Sequence, residues 1–224
     1  MEKVEGSTKA AVAPGRPPYK VAVFGPPTSK QPAFVRIFKL PEMKEKLANK
    51  AFYKADNCTF YWSSTGNHLL ALASTDTSQD SYYGENTLYL LNARNGERFV
   101  SYNLYILSIQ FFSQTVELGK KGPIYSVAWA PTGDYFCAVY GFMPAKATLY
   151  NCRGDVVFDY GTGARNHCYF NQHSTLLMLC GFGALRGDME CWSLKDNTKL
   201  SQAQSADTTH FEWAPGNYTK YFNL

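Results

Sequence analysis

The chain has 224 residues, of which 45% are hydrophobic and 16% aromatic, and its net charge is +4. This composition excludes a mainly disordered polymer, and so small a positive surplus excludes a protein that coats nucleic acid through bulk charge. Charged residues make up only 18%, while Tyr, Phe, Gly and Pro are frequent. Strands and turns are therefore favoured over a helical bundle.

The cysteines and the N-terminal region bear on the compartment. Six cysteines and two N-x-T triplets would suit a secreted disulfide protein, but residues 1–20 contain no apolar segment of the kind found in secretory signals. Cys137 and Cys180 lie inside apolar runs, where reduced cysteines behave as small hydrophobic residues. The most apolar stretch, 99–114, is interrupted by Ser, Asn and Gln and is shorter than the ~20 residues needed to span a bilayer. We expect an intracellular, cytoplasmic chain without a membrane segment.

The N-terminal quarter divides into three parts. Residues 1–18 are small, polar and Pro-rich, which predicts a flexible segment. From Tyr19 onward short apolar runs alternate with turn signals, the pattern of an all-β chain. The apolar runs of 19–56 predict an incomplete blade fragment. Within it, 41–52 is compatible either with a short helix that has Pro41 at its first position or with a loop and an outer strand.

A repeated pattern organises the rest of the chain. Segments 59–74, 126–141 and 167–181 each contain a short strand that ends in an aromatic residue, then a turn, then an apolar strand. The aromatic residues of the pattern are Trp62, Trp129, Phe170 and Trp213, separated by 67, 41 and 43 residues. A period near 40–45 residues is typical of a four-stranded propeller blade.

The sequence therefore predicts a partial WD40-like β-propeller over 19–224, with about three and a half to four four-stranded blades. After the blade fragment come a swollen blade at 57–118, blades at 119–160 and 161–204, and a truncated blade at 205–224. Propellers close radially to protect their edge strands, so we expect these blades to belong to a larger propeller. The long loop at 75–85 is a candidate partner-binding segment.

Catalytic and metal-binding patterns are not evident in the sequence. The glycine-rich segments 161–166 and 181–187 lack the G-x-G-x-x-G spacing of nucleotide-binding loops. His167 and Cys168 are adjacent on a predicted strand, so their side chains face opposite ways and cannot share a metal. Three aspartates lie in predicted hairpin turns, where Asp is favoured locally: Asp134, Asp155 and Asp196. We expect a non-enzyme without a cofactor or a metal.

Exposed loops are the best candidates for function. Lys120 and Lys121 lie in the loop that leads into a blade. If the glycine-rich loops share one rim with it, they form a basic surface that contains two phenylalanines and could bind RNA phosphates or an acidic protein. Scattered solubilising charge is the alternative explanation. The candidate binding residues are Lys120, Lys121, Phe142, Met143, Lys146, Arg165, Phe182 and Arg186.

Several loop sequences resemble the eukaryotic translation initiation factor 2A family. They are ANKAFYKAD (48–56), ASTDTSQDSYYGENTLYL (73–90), GKKGPIY (119–125), VYGFMPAKATLYN (139–151), VFDYGTGARN (157–166) and GFGALRGDMECW (181–192), together with FVRIFKLP (34–41). The run GFMPAKAT is highly specific, and generic propellers share periodicity but not these loops. The resemblance covers about 34–97 and 114–214.

The resemblance implies a cytoplasmic, non-catalytic factor with a large N-terminal propeller, nine-bladed in the family, followed by a charged C-terminal extension. It also implies GTP-independent delivery of initiator methionyl-tRNA to the small ribosomal subunit. By the resemblance, contacts with initiator tRNA and mRNA belong largely to regions that this chain lacks, and other initiation factors are further candidate partners. The alternative is a general protein-interaction WD-repeat scaffold with no ribosomal role.

The sequence departs from the family pattern in two places. About 15 additional, uncharged residues stand at 99–113, with the composition of an aggregation-prone strand; we interpret them as a retained intron or an alternative splice product. The second departure is the end, where the family pattern continues into further blades but the chain stops after NYTKYFNL (217–224). We therefore expect a truncated propeller.

Overall fold

The computed structural model describes residues 4–44, 46–53, 55–75, 85–94 and 113–214. These residues form four antiparallel sheets, each with four strands in chain order. The first sheet consists of β1 (Lys9–Val12), β2 (Lys20–Gly25), β3 (Ala33–Lys39) and β4 (Lys46–Phe52). The second consists of β5 (Asn57–Trp62), β6 (His68–Thr75), β7 (Glu85–Asn92) and β8 (Ser113–Thr115).

The other two sheets repeat this organisation. The third contains β9 (Ile124–Trp129), β10 (Tyr135–Tyr140), β11 (Ala145–Asn151) and β12 (Val156–Gly163). The fourth contains β13 (His167–Phe170), β14 (Leu176–Gly181), β15 (Asp188–Ser193) and β16 (Lys199–Gln204), with a 3-10 turn at Gly183–Leu185. The first strands of the second, third and fourth sheets pack against one another in succession, as the inner strands of propeller blades do. The predicted all-β, partial propeller fold is confirmed.

The structure changes two details of the predicted organisation and decides a third that the sequence left open. The segment 1–18, predicted to be flexible, contains strand β1, which pairs with β2 and completes the first sheet that we predicted to be a fragment. Of the two alternatives for 41–52, the structure shows an outer strand and not a helix, because β4 pairs with β3 along its length. Strand β12 continues to Gly163, beyond the predicted blade end at residue 160.

Apolar cores between neighbouring sheets hold the blades together. The first core places the large Val35, Ile37 and Leu69 against small alanines, all completely buried. The second joins leucines of β6 and β7 to Phe136 and Val127, and the third joins residues of β10 and β11 to Leu177 and Leu179. Because each middle sheet is buried on both faces, its second strand is an uninterrupted apolar run.

Three of the repeated aromatic residues connect neighbouring blades. Trp62 Nε1 donates a hydrogen bond to the carbonyl of Ala11 at 3.3 Å, and Trp129 Nε1 donates to the carbonyl of Tyr61 at 2.8 Å. Trp213 repeats this contact with the carbonyl of Tyr169 at 3.3 Å, although residues 205–214, the described part of the predicted truncated blade, form no strand. The side chain of Phe170 has no N–H group and cannot donate this hydrogen bond. The aromatic repeat in the sequence therefore corresponds to a hydrogen bond that recurs between neighbouring blades.

Other sequence interpretations fall on residues outside the described ranges. These are most of the long loop at 75–85, all but Ser113 of the additional residues at 99–113, and the end of the chain from residue 215. They stay predictions.

Candidate binding rim

The sheet topology places the candidate loops together. In an antiparallel sheet of four consecutive strands, the connection between the second and third strands and the connection to the next sheet lie at the same end. In the third and fourth sheets these connections are 116–123, 141–144, 164–166 and 182–187. We call this end the upper rim. The opposite end, the lower rim, carries the turns 130–134, 152–155, 171–175 and 194–198.

Two of the upper-rim loops, 116–123 and 141–144, are joined by hydrogen bonds. The Phe142 amide donates to the carbonyl of Lys121 at 3.1 Å, and the Gly141 amide donates to the carbonyl of Pro123 at 2.9 Å. The Lys120 ammonium group also donates to the carbonyl of Pro144, at 2.6 Å. The two loops therefore form one unit, which we call the tip.

A buried network of hydroxyl groups fixes the base of the tip. Tyr150 donates its hydroxyl hydrogen bond to the Glu117 carbonyl at 3.1 Å, and the Gly119 amide donates to the Tyr140 hydroxyl at 3.3 Å. The Tyr140 hydroxyl in turn lies 2.9 Å from that of Thr148. Burial raises the pKa of Tyr150, so its hydroxyl stays protonated and able to donate. The loop therefore begins from a fixed position.

The end of the tip presents apolar surface beside positive charge. Phe142 is 56% exposed and Met143 is 42% exposed. Lys121 is exposed, and no described residue pairs with its ammonium group. The nearby Lys146 is already paired, because its ammonium group lies 2.8 Å from a carboxylate oxygen of Asp159. Lys121 is therefore better placed than Lys146 to meet an external anion.

The Lys146–Asp159 pair shifts both titrations. The hydrogen bond to Asp159 raises the pKa of Lys146. Burial alone would raise the pKa of Asp159, but hydrogen bonds from Lys146 and from the Gly161 amide outweigh it and hold that pKa below its ordinary value. Both groups stay charged near neutral pH, and their opposite charges cancel. The pair therefore adds little to the net charge of the rim.

Two predicted surface residues are buried, and this corrects our expectation of exposed loops. Arg165 is 4% exposed; its guanidinium lies 3.1 Å from a carboxylate oxygen of Glu190 and also donates to the Tyr160 carbonyl at 3.4 Å. Phe182 is 6% exposed, and its ring centroid lies 5.3 Å from that of His167. A charge paired inside the protein and a covered ring are not available to a partner.

Arg186 is an exposed cation on the upper rim of the fourth blade. It follows the 3-10 turn in a left-handed conformation with φ of 59°, and its amide donates to the Gly183 carbonyl at 3.0 Å. The loop is also held by Asn166, whose side-chain oxygen accepts from the Phe182 amide at 3.0 Å. Arg186 thus lies on a fixed loop of the same rim as the tip.

Two exposed tyrosines of this rim were missed in the sequence. Strict alternation along β9 would put Tyr125 on the same face as Val127, which is 7% exposed. A bulge changes this: Val139 pairs with Ser126 and Tyr140 with Ile124, which leaves Tyr125 unpaired and 37% exposed. Tyr53, in the connection between the first two sheets, is fully exposed. Its place between an outer strand and the next inner strand is the signal that could have identified it.

The described residues offer no constellation for catalysis. His167 is half-buried while Cys168 is buried, in keeping with opposite faces of the strand, and no group of three or more potential metal ligands occurs among these residues. Asp134, Asp155 and Asp196 lie in separate lower-rim turns. No helix in the described ranges is long and apolar enough to cross a membrane. The exposed part of the upper rim, which includes the tip and Arg186, is the candidate functional surface.

The sequence matches a family model and several known proteins. The family model described as "Eukaryotic translation initiation factor eIF2A" matches residues 50–222. The chain is 38% identical over 214 residues to eukaryotic translation initiation factor 2A of Caenorhabditis elegans, a match that covers 94% of this chain and 35% of the relative. It is 38% identical over 209 residues to the Drosophila melanogaster protein of the same name, covering 92% and 30%.

A solved structure also matches. The structure titled "Crystal structure of the eukaryotic initiation factor" superposes with a TM-score of 0.78 and 31% sequence identity, covering 95% of this chain and 47% of that one. The chain thus spans about a third of the length of the curated relatives and about half of the solved chain.

Proposed function

Since this chain belongs to the eukaryotic translation initiation factor 2A family, we propose that it acts in translation initiation as a non-catalytic platform for the small ribosomal subunit. The observation that carries the proposal is the tip, which presents exposed Phe142, Met143 and Lys121, and Lys121 has no ion-pair partner among the described residues. Ribosomal RNA presents a dense array of phosphates, and rigidly mounted lysines bind such surfaces.

The proposal also concerns the partners and the location of the whole factor. The family relationship supports initiator methionyl-tRNA delivery and a cytoplasmic location for the whole factor. This chain matches only about a third of each curated relative, so we assign contacts with initiator tRNA and mRNA to the other parts of those relatives. The described rim contributes the subunit contact, with other initiation factors as further candidate partners.

A general protein-interaction scaffold is the second candidate. Exposed phenylalanine and methionine are enriched at protein interfaces, and both occur at the tip. Lysine, in contrast, is depleted at protein–protein interfaces. The lysines of the tip therefore favour the RNA-rich subunit over a protein partner.

Sedimentation of the chain with purified small ribosomal subunits tests the proposal. We expect co-migration that weakens as salt rises and that falls further in Lys121→Glu, because a phosphate contact is replaced by repulsion. Lys195→Glu, an exposed lower-rim lysine, is the matched control and should behave like the unmodified chain. A folded chain that stays at the top of the gradient, or that responds equally to both charge reversals, would contradict the proposal.

A further inference from the structure

Phe142 and Phe182 occupy the same place in two successive blades but differ in exposure. Phe142 follows Gly141, the first residue after β10, and Phe182 follows Gly181, the last residue of β14. Both β10 and β14 are the second strands of their sheets. Phe182 is 6% exposed beneath the His167 ring, whereas Phe142 is 56% exposed and no described aromatic ring packs on it. The fold can therefore cover an aromatic side chain at this place, and in the third blade it leaves the ring open.

The open ring is mounted on a rigid base. The Phe142 amide is hydrogen bonded to Lys121, and the neighbouring Gly122 approaches so closely that an added Cβ would lie 2.3 Å from the Phe142 nitrogen. A fixed backbone lowers the conformational entropy that a ligand must overcome when it packs on the side chain. Phe142 has the properties of a preformed stacking surface.

The charge around the ring selects the type of ligand. The charged residues of the tip loops are Lys120, Lys121 and Glu117, and the Glu117 residue lies at the base, where its carbonyl accepts from Tyr150. The backbones of Lys121 and Phe142 are joined directly, because the Phe142 amide donates to the Lys121 carbonyl at 3.1 Å. An exposed aromatic ring and an exposed cation on the same tip match the way proteins bind unpaired nucleotides, with the base on the ring and the phosphate on the cation.

We propose that the tip binds single-stranded RNA, with Phe142 stacking on one unpaired base and Lys121 contacting the adjoining phosphate. This inference rests on the proposed function, because it names the RNA element that the same rim would meet on the subunit. An unpaired ribosomal loop and a free single strand share this chemistry. A duplex does not, since its bases are stacked internally and cannot reach the ring.

Fluorescence anisotropy with the full chain tests the inference. The probes are a labelled ten-nucleotide oligouridine and a labelled RNA duplex of the same length. We expect the oligouridine to bind more tightly than the duplex, and Phe142→Ala to raise the Kd about 5- to 150-fold, the range for losing one stacked base. Phe142→Tyr should retain the affinity. Lys121→Ala should make the slope of log K against log salt concentration less steep by about 0.7, the value for losing one phosphate contact on a single strand.

Matched controls separate stacking from loss of fold. Tyr135→Ala removes a 41% exposed aromatic ring from the lower rim and should leave binding unchanged. Circular dichroism of each variant verifies that the sheets are intact. The inference is overturned if the chain does not bind oligouridine, if the duplex binds equally well, or if Phe142→Ala and Tyr135→Ala behave alike. It is also overturned if a labelled polyglutamate peptide binds more tightly than RNA and depends on Phe142.

The two proposals fail in different ways. If oligouridine binding depends on Phe142 but the chain does not co-migrate with small subunits, the proposed function fails and the RNA site stands. If co-migration depends on Lys121 while Phe142→Ala changes neither measurement, the stacking site fails and the subunit contact stands.

Discussion

Trp129 connects two blades through a single N–H group. Its indole donates to the Tyr61 carbonyl of the preceding inner strand while its ring packs 5.2 Å from that of Phe136. The spacing of this residue in the sequence identified the blades, but the spacing alone did not indicate what the side chain does. The structure shows that its polar group matters as well as its size.

Replacement of Trp129 by Phe should therefore destabilise the fold. The aromatic packing is largely retained, but the Tyr61 carbonyl loses its donor, a loss that costs about 1–3 kcal/mol in free energy of unfolding. Urea denaturation measures the change. Tyr135→Phe, which alters an exposed side chain, should leave the unfolding midpoint unchanged. Equal stability of Trp129→Phe and the unmodified chain would show that the bond is dispensable.

His68 makes stability depend on pH. Burial, with smaller contributions from Arg94 and Lys20, lowers its pKa from 6.5 to about 4, and no described group pairs with its Nδ1. The unfolded chain thus binds more protons between these values, so stability is full above pH 6.5 and is lost as pH falls toward 4. This group should make the chain about 2 kcal/mol less stable at pH 5 than at pH 7.

Denaturation at both pH values tests this expectation. His68→Phe removes the titrating group but keeps a ring beside Trp129, whose centroid lies 6.0 Å away, so the difference between pH 5 and pH 7 should shrink by about that amount. His173→Phe, at an exposed position, is the control and should keep the full difference. An unchanged difference in His68→Phe would assign the pH dependence to other groups.

At the scale of elements, the apolar second strands were predictable because each is buried on both faces and forms a continuous apolar run. Strand β1 was not, since Lys9–Val12 is short and mostly exposed and is ordered by pairing with β2. The burial of Arg165 could not be predicted either, because its partner Glu190 lies on β15, distant from it in the sequence. Local pattern predicts strands, and long-range pairing decides which loop residues stay exposed.

Gly122 tests whether the two tip loops act as one element. Its φ is 130°, and an added Cβ would collide with the Phe142 amide nitrogen. Gly122→Ala should separate the loops without altering the cores, so hydrogen exchange at the Phe142 amide should accelerate and oligouridine binding should fall as in Phe142→Ala. Gly161→Ala, at φ of 70° with nothing within 4 Å, is the control for backbone strain alone. Similar results for the two variants would contradict a specific role for loop pairing.

At the scale of the whole molecule, the two rims differ in what they offer a partner. The upper rim of the third blade carries the tip, with its exposed ring, its methionine and Lys121, on a base fixed by buried hydroxyls. The sequence suggested Lys121, Phe142 and Met143 as candidates but could not indicate which side chains stay exposed, because exposure depends on how successive blades and loops cover one another. We propose that this rim faces the RNA of the small subunit.

Site-specific photo-crosslinking tests which rim faces the subunit. A benzophenone amino acid is placed at Met143 on the upper rim or at Tyr135 on the lower rim, and each chain is irradiated with small ribosomal subunits. We expect salt-sensitive crosslinks to ribosomal RNA from position 143 and none above background from position 135. Crosslinks from position 135 alone, or equal yields from both, would contradict the assignment of the upper rim as the binding face.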